Sequence, residues 1–146
     1  MADKVNEQLN KALANYSIYY QKLRNYHWNV SGKMFFALHA KFEELYDEAA
    51  EHIDQIAEQI LIRGGKPLSC LQDYLKVSEL QEDHETPKAA EMVTRLVSDI
   101  KVLVQSLKSA ADLADDAEDS STEDLLGLMI AGHEKSLWML RAFLAE

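Results

Sequence analysis

The chain has 146 residues, 15 Lys and Arg against 25 Asp and Glu, and a formal net charge of −10. That length suits one domain, residues 1–146, and the acidic balance argues against binding nucleic acid through overall charge. Two prolines and five glycines are few for a turn-rich sandwich or barrel, the lone Cys70 cannot form an internal disulfide, and no apolar run approaches the roughly 18 residues of a membrane span.

Met1 to Lys11 lacks the apolar core of a signal peptide, so a cytoplasmic location and no membrane association are expected. From there the apolar spacing reads as helix almost throughout. Leu9, Leu13, Tyr16, Tyr20, Leu23, His27 and Val30 form one stripe at alternating steps of four and three, ending near Ser31-Gly32. A second stripe runs Leu38, Phe42, Leu45, Ala49, Ile53, Ile56, Ile60 and stops at Arg63-Gly64-Gly65, with Pro67 preventing continuation. The pattern lapses from Gly64 to Thr86, where Ser69 to Val77 could form two helical turns. Thr86-Pro87 reads as an N-cap followed by Pro at the first helical position of a third long helix, whose stripe is Ala89, Val93, Leu96, Ile100, Leu103, Leu107, Ala110 and Ala114. An acidic block follows: seven Asp and Glu between Asp112 and Asp124, with no Lys or Arg among them. Ser121 or Thr122 is expected to cap the fourth long helix, with Leu126, Met129, His133, Leu137, Leu140 and Leu144 on its stripe.

Four long helices imply an all-α bundle. The first two share a short turn, as do the last two, but the middle link is about 22 residues, long for antiparallel neighbours. A link of that size can run the length of a ~40 Å helix, which would make the second and third long helices parallel. One such crossover, holding a short helix, gives the ferritin-like rather than the simple up-down connectivity.

His27 lies six residues before Lys33 and His39 six after it, so an antiparallel hairpin brings both imidazoles into one layer. Each histidine alone also reads as an ordinary core or boundary residue. The second helix carries another stripe, His39, Glu43, Asp47, Ala50, Asp54 and Glu58, in which Asp54 and Glu58 share a face. Two imidazoles and two carboxylates suit iron or another first-row metal, whereas the same stripe also reads as a solvated acidic face. His39 and Asp54 are about 22 Å apart along one helix, too far for one ion. Either they are unrelated, or a second copy crosses antiparallel near Tyr46 and Asp47 and makes two equivalent sites.

The segments NYHWNVSG, FFALHAKFEELYDE and HIDQIAEQILIRGGKP closely resemble the Dps family, the mini-ferritins named as DNA-binding proteins from starved cells, and the resemblance runs from about Asn6 to Glu146. It implies a ferritin-like bundle assembled as a twelve-subunit shell that oxidises Fe(II), preferentially with hydrogen peroxide, and stores ferric mineral. It implies His27 and His39 as ligands from one subunit and Asp54 and Glu58 from its partner, with Asp47 or Glu43 as additional ligands. Trp28 matches the tryptophan beside the site that traps an oxidising equivalent; interface packing is its other reading. The acidic block falls where the family places three-fold pores, making Asp115, Asp119 and Asp124 candidates for iron entry; a solvated loop with a helix cap is the alternative. A competing reading of the whole is a non-catalytic shell-forming stress protein that binds DNA or holds zinc at the interface. The DNA function is not supported by residues here: the first eleven residues have no net charge, and no basic tail follows Leu144. His52 and His84 are expected at exposed or boundary positions, and His133, Cys70 and Trp138 as packed residues.

Overall fold

The computed structural model describes residues 3–145. Four long helices, α1 (Lys4–Asn29), α2 (Phe35–Ile62), α4 (Ala89–Asp116) and α5 (Ser120–Leu144), enclose the core, with the short α3 (Leu71–Val77) in the crossover. The stripes meet as expected. Leu9, Leu13, Tyr16 and Leu23 of α1, Phe42, Ile56 and Ile60 of α2, Leu96, Ile100 and Leu107 of α4 and Leu126 of α5 are fully buried. Each buried side chain of this size contributes about 1.5–3 kcal/mol through removal of apolar surface from water.

Cross-helix contacts give the directions. Gln8 near the start of α1 reaches Ser106 late in α4, and Lys22 near the end of α1 pairs with Asp99 earlier in α4, so α1 and α4 are antiparallel. Gln59 late in α2 donates to Thr122 early in α5. The hairpin α1–α2 is antiparallel, so α2 and α4 run parallel and the crossover spans the bundle. Its backbone polar groups need partners, and asparagines of α1 provide them. Asn10 bonds Leu68 N and Lys66 O, Asn15 accepts from Glu79 N at 2.7 Å, and Asn25 donates to Asp83 O and Glu85 O.

Two helix ends use the same reversal. After α2, Gly64 N bonds Leu61 O and Gly65 N bonds Ile60 O, both at 2.9 Å, with Gly64 at φ +81°. After α4, Glu118 N bonds Asp115 O at 3.0 Å and Asp119 N bonds Ala114 O at 2.9 Å, with Glu118 at φ +57°. This double bond is the Schellman motif, and its left-handed residue favours glycine. Gly65 packs closely for a different reason: a Cβ there would collide with the Asn6 side chain, which would have to shift.

Several local expectations are corrected. Lys88, with extended backbone and no side-chain cap, precedes α4, so Pro87 lies outside the helix rather than at its first position. The cap of α5 is Asp119, not Ser121 or Thr122; both hydroxyls donate to the Asp119 carboxylate instead. Cys70 is exposed rather than packed, and Trp138 is 66% exposed on α5. No helix among the described residues is long and apolar enough to cross a membrane.

Candidate metal centre

The hairpin brings His27 and His39 together. Their rings stack with centroids 3.8 Å apart and planes 12° from parallel. His27 Nδ1 lies 2.6 Å from the His39 carbonyl oxygen, and His39 Nδ1 lies 2.7 Å from the His27 carbonyl oxygen. A carbonyl only accepts, so each Nδ1 carries a proton and donates it. In the neutral ring this leaves the Nε2 lone pair available, the arrangement by which an outer hydrogen bond orients a metal-binding imidazole. Phe35 stacks on His39 at 4.9 Å, and Tyr46 meets His27 edge-on at 5.2 Å, further fixing both rings. Glu43 Oε1 stands 3.5 Å from His27 Nε2.

The other candidate ligands lie elsewhere on the same straight helix. Asp47, Asp54 and Glu58 are exposed on the outer face of α2, and the unbroken helix keeps His39 and Asp54 about 22 Å apart. Asp54 hydrogen-bonds and repels Glu58, which raises the Glu58 pKa above the ordinary carboxyl value. Two carboxyls that compete for a proton are relieved when a cation binds between them. One chain thus presents two separate groups: an oriented imidazole pair at one end of α2 and an acidic pair near the other. Trp28 is 57% exposed next to His27 in sequence, with the Arg24 guanidinium 4.9 Å above its ring.

The acidic block divides. Asp119 is occupied: its carboxylate accepts from Thr122 N, Thr122 Oγ1 and Ser121 Oγ and pairs with Arg63, and its pKa is held down to about 2, led by the Thr122 hydroxyl. Asp115 and Asp124 are exposed and crowd Glu123, which burial and the neighbouring Asp115 push above the ordinary carboxyl range. Asp112, Asp115 and Asp116 all sit in the last turns of α4, where the helix dipole is already negative.

A group that the sequence did not reveal lies inside the bundle. Glu48 and His52 of α2 meet His133 of α5, with one ligand atom from each within 4.8 Å of the others. His133 occupies the core position its stripe indicates, and His52 lies at a boundary position as expected. Their proximity depends on how α2 packs against α5, for which the sequence carries no local signal.

The sequence matches the family of ferritin-like domains over residues 6–146. It is 49% identical over 136 residues to the DNA protection during starvation protein of Brevibacillus brevis, covering 93% of this chain and 91% of that one. It is 45% identical over 146 residues to DNA protection during starvation protein 2 of Bacillus anthracis, covering the whole of both. The crystal structure of a Dps protein from Bacillus brevis superposes with a TM-score of 0.94 at 46% identity, covering 99% of this chain and 100% of that chain. Dps from Vibrio cholerae O1, described as a member of a broad superfamily of ferritin-like diiron-carboxylate proteins, superposes with a TM-score of 0.95 at 37% identity, covering 97% and 89%. With its crossover, its paired histidines and these likenesses together, the chain belongs to the Dps family of ferritin-like proteins.

Proposed function

We propose that this protein stores and detoxifies iron in the cytoplasm as a twelve-subunit shell, with ferroxidase sites shared across two-fold dimer interfaces. The observation that carries the reading is the reciprocal Nδ1–carbonyl pairing of His27 and His39, which orients two imidazoles that have too few ligands of their own. Asp54 and Glu58 of a partner crossing antiparallel over α2 supply the missing carboxylates. Support for that crossing comes from the adjoining groove, where Tyr20, Ile53 and Tyr74 lie beside Leu71 and Leu75, which are 77% and 50% exposed in the single chain. Such apolar surface favours coverage by another protein surface.

At the shared site the hard carboxylates favour Fe(III), while the imidazoles retain affinity for Fe(II). Two Fe(II) ions give one electron each to hydrogen peroxide: the O–O bond breaks, and two Fe(III) and two hydroxides result. Paired delivery avoids the hydroxyl radical of one-electron reduction. Glu43 and Asp47 act as additional ligands on the path away from the site, and Trp28 intercepts a stray oxidising equivalent. Zn(II) fits the same donors but has no redox chemistry, so it competes and inhibits. Asp115 and Asp124, grouped with Glu123 around a three-fold axis, attract Fe(II) to a pore. Asp115 sits at the negative end of α4, where it opposes helix stability, and that favours a cation-directed role for it. Asp119 lines the same region chiefly as a cap.

Chain mixing tests the shared site. His39→Ala and Asp54→Ala are each expected to oxidise Fe(II) with peroxide at least tenfold more slowly than wild type while still forming shells by size exclusion. Co-expressed, the two variants regain activity, because one of the two sites at every mixed interface then combines an intact histidine pair with intact acids. Sites built within one chain regain nothing on mixing, and that result refutes the proposal.

A further inference from the structure

The group between α2 and α5 has a different character from the outer face of α2. Glu48 and His52 are one turn apart on α2 and half-buried, and His133 of α5 is 1% exposed. The rings of Tyr16, His52 and His133 form a triangle with centroid separations of 5.3, 5.5 and 5.5 Å, and Tyr19 stands 6.4 Å from both Tyr16 and His133. Tyr16 Oη and His133 Nε2 share a hydrogen bond of 2.5 Å.

Packing alone does not account for the polar atoms gathered here. Among the described residues, four buried side-chain polar atoms have no hydrogen-bond partner: Tyr19 Oη, His52 Nδ1, His133 Nδ1 and Asp99 Oδ2. Asp99 is neutralised by Lys22 Nζ at 2.7 Å. The other three converge on this one place. An unpaired buried polar atom costs about 1–3 kcal/mol, so three together call for a ligand. His133 has one ring nitrogen held by an oxygen and the other unpartnered, the pattern of a metal-binding imidazole with its outer hydrogen bond. Burial holds His133 down to about 3 and also lowers His52, so both rings are neutral at pH 7 and can offer a lone pair. Ligand atoms around a tetrahedral ion with bonds of ~2.0–2.2 Å lie about 3.4 Å apart. The present ligand atoms lie within 4.8 Å of one another, so the widest gap needs to close by at most about 1.4 Å to hold an ion.

We propose that Glu48, His52 and His133 form an intrachain site for a single first-row divalent cation of the zinc type, separate from the shared iron site. Two imidazoles and one carboxylate match Zn(II) preferences and leave at least one position open. The ligands come from facing helices of one bundle, as bundle metal sites do, and the site needs no partner subunit.

Co(II) serves as the probe, because a four- or five-coordinate nitrogen–oxygen site gives visible bands that hydrated Co(II) lacks. The metal-stripped full chain is titrated at pH 7.5 as wild type and as the His27→Ala/Asp54→Ala variant, with bound metal counted by elemental analysis. Both are expected to develop the visible band at one Co(II) per chain beyond any shared site, and Zn(II) should abolish it. Adding Glu48→Gln or His52→Ala to either background should weaken Co(II) binding at least tenfold, with the helical circular dichroism signal unchanged. The proposal is overturned if no band develops with millimolar Co(II), or if the band is indifferent to both Glu48→Gln and His52→Ala. Both substitutions are at half-buried positions, and each reports independently if the other unfolds the chain.

Discussion

Replacing Asp119 by Ala removes the α5 cap and one arm of the contacts around Arg63. Loss of an N-cap carboxylate costs typically about 1 kcal/mol. Arg63 keeps Asp3 at 3.1 Å and Asn6 at 3.0 Å, so it is not stranded, and loss of its partly screened pair with Asp119 adds about 0.5–1 kcal/mol. The sum is about 2 kcal/mol. The titration of the group gives a comparable figure: a pKa of about 2 instead of 3.8 corresponds to roughly 2.5 kcal/mol, which solvent screening reduces at this partly exposed cap. The folded-state pKa is depressed, so the stabilisation is fully present above the ordinary value of 3.8 and fades as pH falls through about 2. Thermal melts at one protein concentration are therefore expected to show Asp119→Ala roughly 4–8 °C below wild type at pH 7. The gap should shrink between about pH 4 and pH 2. Asn caps nearly as well as Asp, so Asp119→Asn should lose only the ion-pair share, about 0.5–1 kcal/mol. Equal melting of Asp119→Ala and wild type at pH 7 would refute the capping argument. A slowed Fe(II) uptake with unchanged melting would instead put Asp119 in the pore.

Three further outcomes are expected. Glu118→Gly should stabilise the fold by about 0.5–1 kcal/mol in denaturant melts, because relief of left-handed strain outweighs the entropy of glycine, as Gly64 already illustrates after α2. Asp99→Ala leaves Lys22 buried without its partner and should cost about 3 kcal/mol, largely recovered in the Lys22→Met/Asp99→Leu pair, by urea denaturation. Purified protein should give no mobility shift with duplex DNA at pH 7 and moderate salt, given its charge of −10 per chain; a clear shift under those conditions contradicts the electrostatic reasoning.

Periodicity made the four long helices legible, because an amphipathic stripe records which face must leave water whatever it packs against. The paired histidines were legible for a related reason: a tight hairpin makes equal offsets from its turn into spatial neighbours. The 22 Å separation of His39 and Asp54 was equally accessible, being a property of one rigid helix. Capping was less so. Ser121, Thr122 and Asp119 are all competent caps, and the choice fell to Asp119 because the reversal after α4 and the reach of Arg63 bring its carboxylate over the first turn of α5.

By itself, then, the sequence determined the helices, their long crossover and the hairpin that pairs two imidazoles, since all of these follow from spacing along a single chain. Only the tertiary structure decided that Glu48 and His52 face His133, that asparagines of α1 satisfy the crossover backbone, and that Asp119 is held as a cap. Those contacts join residues dozens of positions apart, and their geometry is set by how whole helices settle against one another.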